Sequence, residues 1–243
     1  MPVLTYDNRG IGASRPARIS GFDAGIEDWS EHDCAAAIAW LRSRYPGSEL
    51  VGIAHSIGGL VLASARNAES LARFVLVAVH TGYYGDYHAR WRLPMTLMWH
   101  GLMPALARLC GYFPGRMVGM GSDLPRRFAG QWARRTTPAI RYEGERFDAC
   151  LARGRSVRGA ALALTFTDDG FATDRGTRRL LELFPKIEAQ HRVIAPRDAG
   201  LGRIGHFGFF RGSAEKSLWP IAGDWVAFGG SNSVLIADSA GER

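Results

Sequence analysis

The predicted fold of this chain rests on one segment, Val51-Gly52-Ile53-Ala54-His55-Ser56-Ile57-Gly58-Gly59-Leu60. Leu50 to Ile53 is short and apolar, as a buried parallel strand is. Ile57 to Arg66 is rich in Ala, Leu and Val and continues at helical period. Between the two stands the pattern small-x-Ser-x-Gly, centred on Ser56. The segment therefore predicts a strand, a sharp turn at Ser56 and a helix.

The turn at Ser56 would hold the serine in a strained backbone conformation and lift its Oγ clear of the sheet. Side chains two residues before and after it would collide, which explains why Ala54 and Gly58 are small. The backbone N–H of Ile57, at the start of the helix, would point towards a forming oxyanion. A serine in an ordinary strand-to-helix turn can carry the same pattern, so the pattern alone leaves both interpretations open.

The composition is typical of a globular protein: 243 residues, 47% hydrophobic and 22% charged. This length suits one large domain or a domain with an insertion. The start, Met1 to Leu4, has no charged leader and predicts no signal peptide. We also expect no stable membrane insertion, because the longest apolar run, Leu93 to Leu109, is interrupted by Pro94, His100, Pro104 and Arg108.

Cysteine usage indicates the compartment. Cys34, Cys110 and Cys150 are odd in number, far apart and without CxxC spacing. This pattern predicts neither a disulfide framework nor a metal site, and it favours a reducing, cytoplasmic location.

The net charge of +7 raises the hypothesis of nucleic acid binding. However, Lys186 and Lys216 are the only lysines among the 30 basic residues, so 28 are arginine. Such a skew is typical of coding bias, and the arginines are scattered along the chain. We therefore expect no nucleic acid partner.

Strands alternate with helices along the chain, which predicts the α/β class with a mostly parallel sheet and helices on both faces. The predicted strands are Pro2 to Tyr6, Leu50 to Ile53, Arg73 to Val79, Ala160 to Phe166 and His191 to Ile194. Residues 1–82 and 160–228 would form the core. Residues 229–243 have a weak apolar patch at Val234 to Ile236, are otherwise polar and small, and predict a flexible tail.

Residues 83–159 interrupt this rhythm and predict a helical insertion over the carboxyl edge of the sheet, where ligands of open α/β sheets bind. Within it, His88 to Cys110 is predicted as a helix with a break at Pro104. Trp99 and Met103 suit the wall of an apolar substrate pocket, although such side chains can equally pack the insertion onto the sheet. His55 is a further pocket candidate, with its side chain expected to point away from the Ser56 Oγ.

A hydrolytic serine needs a base to take its proton and an acid to orient that base. Asp169 lies in the loop after one predicted strand and His206 in the loop after the next, so both reach the edge where Ser56 lies. Asp168 competes for the acid role, and Asp198 is a much weaker third candidate. Asp169 fits better, because the apolar Phe171 follows it and can anchor the loop. The other histidines are interpreted as structural or surface groups: His32, His80, His88, His100 and His191.

Several motifs together resemble the α/β-hydrolase superfamily, near its bacterial predicted serine hydrolases of the monoacylglycerol lipase and serine aminopeptidase-like group. They are Thr5 to Ser14, the Ser56 turn, Thr167 to Asp169 and Ile204 to Phe210. The resemblance covers roughly Pro2 to Trp225. It implies Ser56 as nucleophile, Asp169 as acid, His206 as base and the Ile57 N–H as oxyanion donor. It also implies hydrolysis of a small acyl ester, thioester or amide without a cofactor.

Members of the superfamily normally have three further strands before the segment matched by Pro2 to Tyr6. We therefore expect an N-terminally truncated fold, in which Pro2 to Tyr6 lacks its neighbour or slides into the vacant position. The open edge would favour self-association. With the Ile57 N–H as the remaining oxyanion donor, loss of the second donor would cost about 10²–10³ in rate. A chain of this fold that only binds an apolar ligand or a protein partner is the alternative.

Overall fold

The structure, a computed structural model, describes residues 1–136 and 145–229. The α-helices in these ranges are α1 (Ile26–Asp28), α2 (Ala35–Arg44), α3 (Gly58–Ala63), α4 (Ala89–Thr96), α5 (Met103–Cys110), α6 (Arg126–Ala133), α7 (Glu145–Gly154), α8 (Asp174–Leu181) and α9 (Trp219–Phe228). Two π-helical segments, Trp29–Cys34 and Leu97–Leu102, join α1 to α2 and α4 to α5. The strands are β1 (Leu50–His55), β2 (Leu71–Val77), β3 (Tyr112–Phe113), β4 (Leu124–Pro125), β5 (Gly159–Phe166) and β6 (Ile187–Ile194).

The central sheet has the strand order β1-β2-β5-β6, and every neighbouring pair is parallel. Val77 at the end of β2 stands opposite His55 on one side and Leu164 on the other. The carboxyl ends of all four strands therefore meet at one edge of the sheet. The predicted α/β class with a mostly parallel sheet is confirmed.

Side chains of the inner strands alternate between two cores, because successive residues of a strand point to opposite faces. Phe74 and Leu76 of β2 lie in one core with Leu60 of α3. Val75 of β2 lies in the other core with Trp225 of α9. Both faces of the sheet are therefore covered by helices, as the apolar runs predicted.

The prediction of a strand at Pro2 to Tyr6 is wrong: these residues form no strand, and Val3 is 77% exposed. A strand persists only where a neighbour accepts and donates its backbone hydrogen bonds, and no described strand lies beside this segment. The segment also does not take the vacant position in the sheet, because β1 is the edge strand and no described strand pairs with its outer side. Ile53 on that edge is consequently 54% exposed.

The segment between β2 and β5 carries α4 to α7 and a small antiparallel pair of β3 with β4. The predicted break at Pro104 is wrong, because the chain remains helical from Ala89 to Cys110. The wider turn of the π-helical segment Leu97–Leu102 comes just before Pro104 and accommodates its ring and its missing N–H, so the helix continues. Residues 137–144 of this insertion, and all of the predicted tail except Gly229, lie outside the described residues.

Neither membrane spans nor disulfides occur in the part of the chain that the structure describes. None of its helices is both long and apolar enough to cross a membrane. Cys34 and Cys150 are buried free thiols, and Cys110 is an exposed one.

An ionic cluster fastens α6 and α7 of the insertion to α1. Arg127 of α6 pairs with both Glu27 and Asp28, and Arg146 of α7 lies 2.9 Å from the Asp28 carboxylate. Gln131 donates from Nε2 to Glu27 at 2.7 Å. Glu27 and Asp28 are 4% and 5% exposed, so the carboxylates are buried while their arginine partners reach solvent.

Two adjacent glycines of α3 are expected to differ sharply on replacement by alanine. A Cβ at Gly59 would lie 2.7 Å from Cγ1 of the buried, β-branched Val79, whereas a Cβ at Gly58 would meet only the Ala54 Cβ at 3.7 Å. Gly59→Ala should therefore lower the free energy of unfolding by about 1–3 kcal/mol through overpacking. Gly58→Ala should leave it unchanged or raise it by up to about 1 kcal/mol. Urea unfolding of both variants measures this, and equal effects would contradict the packing described.

Candidate active site

The turn at Ser56 joins β1 to α3 with the geometry that the sequence predicted. Ser56 has a φ of +55°, in the left-handed region that non-glycine residues rarely adopt. Its N–H donates to the Val77 carbonyl at 3.1 Å, which ties the turn to the end of β2. Ala54 and Gly58 face each other across the turn. The predicted strand-turn-helix arrangement is confirmed.

His206 lies between Ser56 and Asp169. Its Nε2 is 3.0 Å from the Ser56 Oγ, and its Nδ1 is 2.8 Å from Oδ2 of Asp169. Asp169 is 1% exposed, and its Oδ1 accepts from the N–H groups of Phe171 and Ala172. Burial alone would raise the pKa of Asp169, but the hydrogen bonds from His206 and these amides hold the pKa below its usual value. The ionised carboxylate therefore fixes the proton of His206 on Nδ1 and leaves Nε2 to accept from Ser56.

The adjacent Asp168 has a different set of partners. Its carboxylate accepts from the N–H groups of Ile204 and Gly205, both at 2.9 Å. Asp169 thus contacts the ring of His206, while Asp168 holds the backbone that leads to it. Asp198, the third acid considered, accepts from Ala195 at the start of its own short helical turn and is exposed.

His55, the residue before Ser56, contacts the loop that carries His206. Its Nε2 donates to the backbone carbonyl of His206 at 2.7 Å, and its ring packs against Phe207 and Phe210. Burial, followed by the charge on His206, lowers its pKa to about 4. Among the described residues His55 is not a partner of the Ser56 Oγ. The structure thus shows His55 in contact with this loop, and its place in a pocket wall stays a prediction.

His80 also contacts Ser56, and the sequence interpretation missed it. Its Nε2 lies 3.2 Å from the Ser56 Oγ, and its Nδ1 accepts from the Gly82 N–H at 3.1 Å. The side chain is buried, and burial, followed by the charge on His206, lowers its pKa to about 3. The sequence signal that could have identified His80 is its position after β2, the strand that pairs with β1. The requirement that the histidine follow the acid in the chain excluded it.

Family comparison decides the class of the protein. The model of the alpha/beta hydrolase family matches residues 2–220. The chain belongs to this family. A search of curated proteins finds no match.

Solved structures show the same fold at low identity. This alpha/beta hydrolase is 18% identical to BpoC of Mycobacterium tuberculosis H37Rv, which carries the name of a non-heme bromoperoxidase; 90% of this chain and 79% of that chain are covered, with a TM-score of 0.50. It is 12% identical to mouse alpha/beta hydrolase domain-containing protein 10, over 91% and 76% of the two chains, with a TM-score of 0.50. These similarities concern the fold, and the predicted branch within the superfamily stays a prediction.

Trp99 and Met103 of this alpha/beta hydrolase lie in the core, not at the wall of a pocket. They are 6% and 1% exposed, and the Trp99 ring packs against Trp132 with centroids 5.7 Å apart. Burying large apolar side chains stabilises the fold by about 1.5–3 kcal/mol each, which explains their place under the insertion. A cleft of about 1060 Å³ opens near His100 and Arg127, and neither Ser56 nor its histidine partners line it.

The environment of Ser56 offers one free backbone donor of the predicted kind. Within residues 1–136 and 145–229, no group accepts a hydrogen bond from the Ile57 N–H at the start of α3. In the same ranges, no group of three or more His, Cys, Asp or Glu residues is placed to hold a metal ion. Hydrogen bonds link Ser56, His206 and Asp169 in series at this site.

Acid is expected to destabilise the alpha/beta hydrolase through its buried histidines. His80 and His55 have folded pKa values of about 3 and about 4, against an ordinary 6.5. Between pH 6.5 and these folded pKa values, the two histidines bind protons in the unfolded chain but not in the folded chain. The free energy of unfolding therefore decreases as the pH drops below 6.5. At about pH 5 the loss from His80 alone is about 2 kcal/mol. Urea unfolding at about pH 7 and about pH 5 should show this, with a smaller loss in His80→Gln. An equal loss in both proteins would contradict it.

Proposed function

We propose that this alpha/beta hydrolase is a serine hydrolase that cleaves an acyl ester, or a related thioester or amide bond. Membership of a hydrolase family supports hydrolysis in general. The observation that carries the finer proposal is the hydrogen-bonded series from the Ser56 Oγ through His206 to Asp169. It joins a nucleophile, a base and an orienting acid at hydrogen-bond distances.

In the first step the Ser56 Oγ attacks the substrate carbonyl carbon while its proton passes to Nε2 of His206. Asp169 remains ionised and stabilises the imidazolium that forms. The carbonyl oxygen becomes an oxyanion, to which the Ile57 N–H donates. The tetrahedral intermediate then collapses, and the leaving group departs with the proton from His206.

The second half-reaction returns the enzyme to its starting state. A water molecule loses a proton to Nε2 of His206 and attacks the acyl-Ser56 carbonyl. The second tetrahedral intermediate releases the acid, and Ser56 recovers its proton from His206. Water is the one co-reactant that this sequence consumes.

The surface beside His206 supports an apolar group on the substrate. Phe207 and Phe210 are 61% and 49% exposed, and both rings lie against His55 beside the base. Exposed aromatic side chains on the loop that carries the base can bind an acyl chain or an aromatic leaving group. The substrate class that fits is therefore a small acyl compound with an apolar portion.

Residues 83–159 are proposed as a lid on a core of residues 1–82 and 160–228. Trp91 of α4 stacks on Phe171 of the acid loop, and Phe171 meets the His206 ring edge-on at 5.5 Å. The insertion therefore contacts the loop that carries Asp169. Movement of α4 would change access to the site without moving the sheet.

The nucleophile is tested by the variant Ser56→Ala, which should lose turnover of a p-nitrophenyl ester by about 10⁴-fold or more. A fluorophosphonate probe should label the wild-type protein at Ser56, as mapped by mass spectrometry, and should fail to label Ser56→Ala or His206→Ala. Circular dichroism of each sample controls for folding. If Ser56→Ala still hydrolysed the p-nitrophenyl ester, the proposal would be wrong. A folded wild type without labelling or turnover would favour a protein that only binds an apolar ligand or a protein partner.

The two adjacent acids provide a matched pair. Asp169→Asn should lower kcat/KM by about 10⁴-fold, because an amide cannot hold the His206 proton on Nδ1 or stabilise the imidazolium. Asp168→Asn keeps one acceptor oxygen and so loses one of the two hydrogen bonds from Ile204 and Gly205. It leaves the contact between Asp169 and His206 in place and should cost about tenfold or less. Ester hydrolysis by both variants measures the difference, and a larger effect at Asp168 would reverse the proposed roles.

A further inference from the structure

The tautomer of His80 follows from its contact with the backbone. Nδ1 of His80 receives the Gly82 N–H at 3.1 Å, and a backbone N–H can only donate. Nδ1 must therefore be unprotonated, so the single proton of the neutral ring stands on Nε2. That nitrogen lies 3.2 Å from the Ser56 Oγ. His80 is consequently the donor and the Ser56 Oγ the acceptor.

The two histidines around Ser56 have opposite roles. Asp169 holds the proton of His206 on Nδ1, so Nε2 of His206 accepts from the Ser56 Oγ at 3.0 Å. His80 fills the complementary position by donating to the same oxygen. The hydroxyl group thus has one acceptor and one donor, and its proton is directed to His206.

The backbone before and after His80 is built to place it. Among the described residues, Ser56 and Ala78 are the only non-glycine residues with positive φ, at +55° and +49°. Both directly follow neighbouring strands, and Ala78 leads into His80. Gly82 has a φ of +82°, and a Cβ there would lie 2.9 Å from Cδ of Arg135. Strained backbone of this kind persists at functional sites because the surroundings over-determine it.

Burial keeps His80 a donor and not a competing base. Its side chain is 4% exposed, and the rings of Trp132, Tyr87 and His206 surround it with centroids 5.7, 6.2 and 5.7 Å away. Burial and the positive charge that His206 gains in the reaction both disfavour a charged His80. His80 can therefore donate a hydrogen bond throughout the reaction without taking the serine proton.

We propose that His80 is a catalytic residue, a neutral histidine whose Nε2–H donates to the Ser56 Oγ and stabilises the charge on that oxygen as its proton leaves. The inference rests on the proposed function, because it assigns a role at the same serine. No proton leaves His80 in any step. Its hydrogen bond shortens and strengthens while Oγ is negative, in an environment of low dielectric where such bonds are strongest.

Two substitutions separate the donor from the bulk of the side chain. His80→Leu removes the N–H and should lower the rate of Ser56 labelling by fluorophosphonate, and kcat for the ester, by about 10- to 100-fold with little change in KM. This expected decrease in rate is smaller than the decrease of about 10²–10³-fold for loss of an oxyanion donor, because the charge on Oγ is partial and brief. His80→Gln restores an N–H at similar reach and should recover activity to within about tenfold of the wild type.

A matched control is His191→Gln. Nε2 of His191 also hydrogen-bonds a hydroxyl group, that of Thr165 at 2.8 Å, but His191 contacts none of Ser56, Asp169 or His206. This variant should label and turn over as the wild type does. It accounts for any general effect of replacing a half-buried histidine that bonds to a hydroxyl group.

A spectroscopic test does not depend on activity. In the ¹⁵N-histidine-labelled protein, the His80 ring should show a protonated Nε2 and an unprotonated Nδ1, without titrating from about pH 8 to about pH 5. The Nε2–H resonance should shift in Ser56→Ala and stay unchanged in His191→Gln. This result would establish the direction of the hydrogen bond between His80 and Ser56 independently of any activity, and the labelling rates then test its role in the reaction.

The outcomes are distinguishable from failure of the proposed function. A folded wild type without labelling would overturn the serine hydrolase and this role with it. A labelled wild type with equally fast labelling of folded His80→Leu would overturn the role of His80 alone. If His80→Leu does not fold, a proton on Nδ1 in the wild type, or labelling of His80→Gln as slow as in His206→Ala, would overturn it.

Discussion

A serine at φ +55° keeps that conformation only while its neighbours hold it, and here the Ser56 N–H is held by the Val77 carbonyl at the end of β2. Ser56 is therefore fixed to the adjacent strand and not only to its own. The next residue along, Ala78, turns sharply in the same left-handed sense and donates to Leu164 of β5. The carboxyl end of β2 therefore fixes the direction in which Ser56 leaves the sheet. It also fixes the direction in which the chain runs on towards His80.

The parts of the fold that the sequence predicted are those encoded by local patterns. Four apolar segments became the strands of the central sheet, and the turn at Ser56 follows from the small residues on either side of it. Pro2 to Tyr6 has the same apolar, strand-like pattern but forms no strand, because pairing depends on a neighbour that a local pattern does not report. The strand propensity of Pro2 to Tyr6 is similar to that of the four segments. The presence of a pairing strand decides which of these segments form strands.

At the candidate site, chain order brought out Asp169 and His206 because each follows a strand at the carboxyl edge. Chain order does not separate Asp169 from Asp168, and only the apolar Phe171 that follows favoured Asp169. The two carboxylates differ in which donors they face. His80 was missed because its relation to Ser56 comes from two parallel strands lying side by side. For Trp99 and Met103 the sequence left open whether they line a pocket or pack the insertion, because helical period identifies an apolar face but not what that face meets; both side chains are buried.

The ionic cluster between α1 and the insertion has a consequence for how related sequences diverge. Glu27 and Asp28 are buried, so losing Arg127 alone would leave two neighbouring carboxylates without their main partner in a poorly solvated place. Removing one member of such a cluster is strongly destabilising, whereas exchanging the whole set for apolar residues is often neutral. These positions, about a hundred residues apart in the chain, should therefore be exchanged together in evolution and rarely singly. Covariation among them would then mark how the insertion is attached to the core.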